Sequence, residues 1–180
     1  MRWAPLHRPG PEAALSALTH LIEARDADFV WMLGGAPSRP ELRLPPGGVD
    51  DRETVIVVRS IHDALGGDGH PGSWLMVSDG EIVGLCGFAR SPSASGEVEI
   101  GYSVAPARRR LGHAGRAVGA LLAIAERDAA AHWVTAVTAQ DNLPSQAVLI
   151  RHGFLEDGRE VRDEEGPVIL WRLRLGRRES

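Results

Sequence analysis

The stretch that most constrains this chain is Val104–Ala117, VAPARRRLGHAGRA, which carries a strand pattern into a helix pattern through a glycine-bearing turn. Upstream, Glu97–Val104 (EVEIGYSV) reads as a strand. Downstream, Gly112–Ala131 reads as a helix, with Ala114, Val118, Leu121, Leu122 and Ala125 forming one apolar stripe. A turn that feeds a helix N-terminus presents unpaired backbone N–H groups and the positive end of the helix dipole. Such an end is an anion site, and a phosphate or pyrophosphate suits it.

Two familiar glycine loops do not match. A Walker-type loop needs a Lys after its second Gly, and the chain contains no Lys. A dinucleotide fingerprint needs G-x-G-x-x-G, which Gly112-His113-Ala114-Gly115 does not supply. What remains is R-x-x-G-x-A, Arg109-Arg110-Leu111-Gly112-His113-Ala114, placed after a strand. The bland alternative is that Gly112 and Ala114 only allow close helix packing.

At 180 residues the chain fits one domain, 1–180, able to bury its own core. No composition shift or internal repeat marks a second unit. No apolar run approaches the ~20 residues of a membrane span, and MRWAPLHRPGPE lacks the apolar segment of a secretory signal. A cytoplasmic location is the default expectation, with no membrane partner. The single Cys, Cys86, sits in an apolar run and reads as a buried, inert thiol. The net charge of −4 argues against wholesale nucleic-acid binding, as does the lack of aromatics among the Arg residues of the turn. The seven His show no metal-ligand spacing, so no metal is expected. Without Lys, Schiff-base chemistry is excluded.

Taken in order, Arg2–Arg8 reads as a short edge strand and Pro11–Arg25 as a helix with Ala14, Leu15, Leu18, Leu21 and Ile22 on its apolar face. Phe29–Leu33 is apolar and ends at Gly34-Gly35; Trp31 reads as core. Ala36–Asp51 is a long Pro- and Gly-rich loop, followed by a helix over Arg52–Leu65. Trp74–Ser78 and Ile82–Ala89 flank Asp79-Gly80, a strong hairpin signal. With Glu97–Val104 they make an antiparallel meander. Trp133–Thr138 is a strand that should pair parallel to Glu97–Val104 by the crossover rule. A short helix over Pro144–His152 ends at Gly153, and Phe154–Val161 with Val168–Leu175 forms the last strand pair. The expected fold class is therefore α/β, a mixed and mostly antiparallel sheet.

Two motifs together identify a family resemblance. The Arg109–Ala114 hexapeptide is similar to the Q/R-x-x-G-x-G/A signature of the GNAT N-acetyltransferase superfamily, which binds the pyrophosphate of acetyl-CoA. Asn142-Leu143-Pro144-Ser145, then Val148-Leu149, then Gly153-Phe154, resembles the N-x-x-S-(x)7-G-F segment that closes GNAT domains. The spacing between the two suits one helix and one strand. The resemblance covers about Trp74–Leu175. Within it, Glu99-Ile100-Gly101-Tyr102 and Val148-Leu149 look most like the branch of bacterial ribosomal-protein-alanine N-acetyltransferases. Arg8-Pro9 and Phe29–Gly35 are similar to the N-terminal half of that branch.

The resemblance implies a sheet splayed at its centre with helices on both faces. It also implies acetyl transfer from acetyl-CoA, as co-substrate, directly to a primary amine of a peptide or small molecule. Such chemistry needs a carboxylate near the acceptor to take its proton. Glu99 is the first candidate and Glu97, two residues earlier on the same strand face, the second. The alternative is that both are solvated surface charges. For the cofactor, the family pattern implies a bulge at Tyr102, Ser103 and Val104 whose free backbone groups meet the pantetheine arm. It implies that backbone N–H groups of Arg109, Arg110, Leu111, Gly112, His113 and Ala114 hold the pyrophosphate, with Arg108, Arg109, Arg110 and Arg116 adding positive charge. It implies that Asn142 contacts the pantetheine and that Ser145 is the family's serine. Many family members carry a Tyr acid where this chain has Leu149, so Ser145 or a water is the candidate proton source. A second function class stays open, an acyl-CoA-binding module without turnover. Oligomeric state is also open, a homodimer being the commonest outcome.

Overall fold

A computed structural model describes residues 18–67, 72–163 and 166–176. Its seven strands form one sheet in the order β1-β2-β3-β4-β5-β7-β6. These are β1 (His20–Glu23), β2 (Ser73–Ser78), β3 (Glu81–Phe88), β4 (Glu97–Val104), β5 (Trp133–Ala139), β6 (Leu155–Arg162) and β7 (Gly166–Arg174). The helices are α1 (Asp26–Met32), α2 (Arg52–Gly67), α3 (His113–Ala125) and α4 (Leu143–Arg151). Every strand pair is antiparallel except β4 with β5, which α3 joins as a crossover.

Local chemistry explains most boundaries. Asp79 and Gly80 both take positive φ, 50° and 69°, the geometry that a two-residue hairpin between twisted strands requires. Asp51 accepts from the Thr54 backbone N–H at 2.8 Å and caps α2. Asn142 does the same for α4 through the Ser145 N–H at 3.2 Å. The long Ala36–Asp51 loop holds only an isolated bridge, Arg43 to Glu81.

Two apolar layers form, one on each sheet face. The first packs α3 and α4 on the sheet through Met76, Val98, Ile100, Val118, Leu121, Leu149 and Phe154. The second packs α1 and α2 through Phe29, Trp31, Val55, Leu75, Val77 and Leu85. Trp31 is core, as its apolar neighbours suggest.

Three expectations need correction. The helix expected over Pro11–Arg25 is a strand at His20–Glu23, because the open edge of β2 offers register partners from Val77 to Trp74 and tertiary pairing overrides local pattern. Leu18, assigned to its apolar face, is 69% exposed. Residues 11–17, and the strand expected at Arg2–Arg8, lie outside the described residues. The helix expected to reach Ala131 stops at Ala125. There the Asp128 carboxylate captures the Ala130 N–H at 2.9 Å, competing with the helix and turning the chain into β5. Among the described residues no helix is long and apolar enough to cross a membrane.

Candidate active site

The site begins where the two parallel strands part. β4 pairs with β5 only from Glu97–Trp133 to Glu99–Thr135. Beyond that point β4 continues against β3 as far as Val104, while β5 continues against β7 as far as Ala139. The sheet is therefore splayed, with a V-shaped gap opening toward the carboxyl ends of both strands. The N-termini of α3 and α4, which follow those strands in the chain, lie at that end. Ligands of open α/β sheets bind outside carboxyl strand ends for the same reason.

The register from Gly84–Val104 to Phe88–Ile100 is unbroken, so the expected bulge at Tyr102–Val104 is absent and the splay itself frees backbone groups. Ala89 donates to the Glu99 carbonyl, and Ala105 donates to that of Val83. By strand alternation Gly101 and Ser103 also turn their backbone groups to β3, whereas Tyr102 and Val104 turn theirs to the gap. Arg109 Nε already donates to the Val104 carbonyl at 3.2 Å.

The turn after β4 is a 3-10 segment, Pro106–Arg108, followed by two residues of positive φ, Arg110 at 65° and Gly112 at 81°. Gly112 is the N-cap of α3 and brings no capping side chain. The first intrahelical bond runs from the Arg116 N–H to the Gly112 carbonyl, leaving the first-turn N–H groups of His113, Ala114 and Gly115 without helical acceptors. His113 is buried and shares a 2.7 Å hydrogen bond between Nδ1 and Thr19 Oγ1. Burial first, then the charges of Arg116 and Arg108, holds its imidazole below the usual value. Leu111 is exposed at the tip of the turn.

The arginines divide. Arg108, expected among the phosphate-facing charges, is instead committed to the buried Glu81 carboxylate, with Nη2 to Oε2 at 3.1 Å. Arg43 approaches the same Glu81 oxygen at 3.3 Å. Arg116 donates to the Leu111 carbonyl at 3.0 Å, holding the turn from within. Arg110 stands exposed at the left-handed position.

On the α2 face of β4 stand Glu97, Glu99, Gly101 and Ser103, in strand alternation. Glu99 accepts from Arg90 at 2.6 Å, and Arg90 is 63% exposed against 23% for the Glu99 side chain. Glu97 accepts from Arg172 at 2.6 Å, and that guanidinium lies 4.1 Å over the Trp133 ring. On the opposite face the Tyr102 hydroxyl lies 2.7 Å from Ser145 Oγ. Burial pushes the Tyr102 phenol up, and the Ser145 bond offsets this in part. Asn142 spends its carbonyl on the α4 cap. Leu149 is completely buried in the core. Cys86 is buried too, its thiol pushed up to about 12.

Tyr102, Ser145, Asn142 and the Arg109–Ala114 turn thus lie toward the open end of the splay, with Glu99 at its closed end on the opposite sheet face from Tyr102. Sequence reasoning did not find Glu81 or Thr19, because neither lies in a motif and each meets its partner only through folding.

A mixed sheet splayed between its one parallel strand pair, with two helices on each face, is the acyl-CoA N-acyltransferase fold. The chain belongs to the GNAT acetyltransferase family: residues 20–155 match the family described as "Acetyltransferase (GNAT) domain". It is 35% identical over 85 residues to the uncharacterised N-acetyltransferase YjdG of Bacillus subtilis (strain 168). That match covers 46% of this chain and 51% of the relative, so it spans about half the relative's length. Among solved structures, Mycobacterium smegmatis RimJ in complex with CoA-disulfide has a TM-score of 0.65 at 23% identity, over 88% of this chain and 83% of that one. The Salmonella typhimurium acetyltransferase that modifies the N-terminal serine of ribosomal protein L7/L12 has a TM-score of 0.64 at 18% identity, over 87% and 94% of the two chains.

Proposed function

We propose that this protein is an enzyme that transfers acetyl from acetyl-CoA directly to a primary amine, which belongs to a protein N-terminus or a small molecule. The observation that carries the reading is the splay, with Glu99 at its closed end and two helix N-termini at its open end.

The residues fit acetyl-CoA. First-turn N–H groups of α3 and the αL turn at Arg110–Gly112 suit a pyrophosphate. Arg110, rather than Arg108, is the side chain available to a further phosphate. The gap-facing backbone groups of Tyr102 and Val104 suit the amides of a pantetheine arm, with Asn142 capping α4 after β5, the other strand of the gap. Acetyl-CoA supplies an activated acyl group as a thioester.

Glu99 takes the proton of the acceptor amine, directly or through one water, as its nitrogen attacks the carbonyl carbon. The C–S bond breaks, and the leaving sulfur receives a proton that a water passes through the Ser145 hydroxyl, which Tyr102 holds, so that the serine ends neutral and the proton on Glu99 returns to solvent. Glu97, tied to Arg172, is the less suited carboxylate because it lies further from the open end of the splay. The buried Leu149 keeps a second reading alive, acyl-CoA binding without turnover, since it supplies no acid where many relatives carry a Tyr.

Isothermal titration with acetyl-CoA, CoA and NAD is the first test. Micromolar binding of the CoA species and none of NAD is expected, followed by turnover in an amine screen. Failure to bind any CoA species would overturn the proposal, whereas tight binding with no turnover on any amine would leave the binding module.

A further inference from the structure

Past Gly84–Val104, where β4 leaves β3, two other segments take over the edge of β3. The Ala105 N–H donates to the Val83 carbonyl at 2.9 Å and starts the turn that leads to α3. Further along, Arg43 of the long loop brackets Glu81. Its N–H donates to the Gly80 carbonyl at 2.9 Å, and its carbonyl accepts from the Ile82 N–H at 3.0 Å. Glu81 lies where both segments arrive and is only 4% exposed. Its Oε1 accepts from Arg108 Nε and its Oε2 from Arg108 Nη2 at 3.1 Å, a two-pronged fork. Arg43 Nε, on a side chain that is 61% exposed, lies 3.3 Å from Oε2.

Two residues after Arg108, Arg110 holds φ at 65°, a left-handed geometry that a residue with a Cβ resists. Such a conformation persists only where its surroundings over-determine it. On its far side Arg116 donates to the Leu111 carbonyl at 3.0 Å. On its near side the Glu81–Arg108 fork ties the last residue of the 3-10 segment to β3. A buried ion pair brings little net stability, because desolvation offsets most of its attraction. What the fork fixes is direction, since a planar guanidinium against a carboxylate constrains where the chain at Arg108 runs.

We propose that Glu81 is a positioning residue for the acetyl-CoA site. Through Arg108 it holds the Arg109–Ala114 turn in its strained shape before a pyrophosphate arrives, so that the first-turn N–H groups of α3 need no rearrangement to receive it. The inference rests on the proposed acetyl-CoA site at this turn. Preorganisation of this kind acts on affinity and leaves the chemical step alone.

The test is titration with CoA of the wild type, Glu81→Gln, Arg110→Gly and the double variant. Alongside it, kcat is measured at saturating acetyl-CoA on the amine that serves best in the screen. Glutamine keeps one acceptor oxygen but turns an NH2 group toward the second arginine nitrogen, so the fork is lost. Glu81→Gln is expected to weaken CoA binding by about 10-fold, the effect of releasing one strained residue, with kcat within about 2-fold of wild type. Arg110→Gly removes a charge and weakens binding in its own right. Glycine takes left-handed geometry freely, so adding Glu81→Gln to that variant costs about 2-fold or less. A glutamate with a merely structural role would lower the thermal midpoint in both backgrounds and leave the affinity of the folded protein unmoved.

Arg108→Lys keeps Glu81 paired, and so keeps the fold, but removes the fork. It is expected to weaken CoA binding in the same direction, and it carries the test if Glu81→Gln does not fold. A wild type that binds CoA, with both variants binding it equally well, overturns the inference and leaves the acetyltransferase reading intact. An equal loss from Glu81→Gln with and without Arg110→Gly overturns it as well. A wild type that binds no CoA overturns that reading, and the inference falls with it.

Discussion

The Tyr102 hydroxyl lies 2.7 Å from Ser145 Oγ and 3.3 Å from the Ser145 backbone carbonyl, joining β4 to the first turn of α4 across the mouth of the splay. The two groups come from positions 43 residues apart, and each narrows where the other's hydrogen can point. Burial keeps the phenol above its usual value, so it stays protonated throughout any practical assay range. If Ser145 passes a proton from water to the departing thiolate, Ser145→Ala lowers kcat by roughly 10²-fold, the lower end for acid–base catalysis. Tyr102→Phe lowers kcat less and leaves the KM for acetyl-CoA near the wild-type value. The double variant is no worse than Ser145→Ala alone, because the tyrosine acts through the serine. Steady-state kinetics on the four proteins checks this, and additive losses would separate the two roles.

The two carboxylates of β4 make different predictions. Glu99→Gln preserves shape and hydrogen bonding but removes the base, so kcat falls by roughly 10²- to 10⁴-fold while acetyl-CoA binding is unchanged. Glu97→Gln removes one member of an ion pair that is about one-third exposed, and its effect on kcat stays within a few-fold. Pre-steady-state measurement of acetyl transfer distinguishes a chemical defect from slow product release.

Gly112 holds φ at 81° at the start of α3, a conformation that costs an L-residue about 1–2 kcal/mol. A Cβ there would stand 3.5 Å from Arg116 Nη1, an ordinary contact, so the penalty of Gly112→Ala is backbone strain rather than a clash. Thermal unfolding should show that modest loss, with weaker acetyl-CoA affinity as the turn relaxes. Gly112→Glu adds a negative charge where a pyrophosphate is proposed to sit, and titration should show binding abolished while the fold persists.

Much of this architecture was legible because its signals are local. Asp79-Gly80 encodes its own turn, and Asn142 with Ser145 encodes its own cap. The parallel pairing of Glu97–Val104 with Trp133–Thr138 followed from one intervening helix and the handedness of crossovers. The strand at His20–Glu23 was not legible, because four residues acquire strand character only from the β2 edge that receives them. The arginine run was misread in one respect for a similar reason. Nothing in RRR tells which guanidinium will meet Glu81, which lies 27 residues from Arg108 and is buried only by the fold. Cys86 was readable as inert from its apolar neighbours alone.

The long loop that follows α1 is anchored by a buried ion pair, and that pair predicts how the protein responds to acid. Arg39 donates through Nε and Nη2 to both oxygens of Asp28, each at 2.9 Å, and Ser38 adds a third bond at 2.6 Å. Burial alone would raise the Asp28 carboxyl, but the bonds from Arg39, Ser38 and the Arg25 N–H outweigh it and the pKa lies below 3.8. A carboxyl depressed on folding contributes stability that is present above its unfolded pKa and is lost as pH falls through the folded one. The wild-type protein should therefore lose stability below about pH 4. Arg39→Met leaves a buried carboxylate with too few partners, costing about 3–5 kcal/mol at neutral pH. The remaining Asp28 carboxyl is then pushed up rather than down, so acidification neutralises it and the deficit relative to wild type narrows. Urea unfolding of both proteins at pH 7 and pH 4 measures the two gaps. A deficit that is the same at both values would mean that Arg39 acts by packing and not through the charge of Asp28.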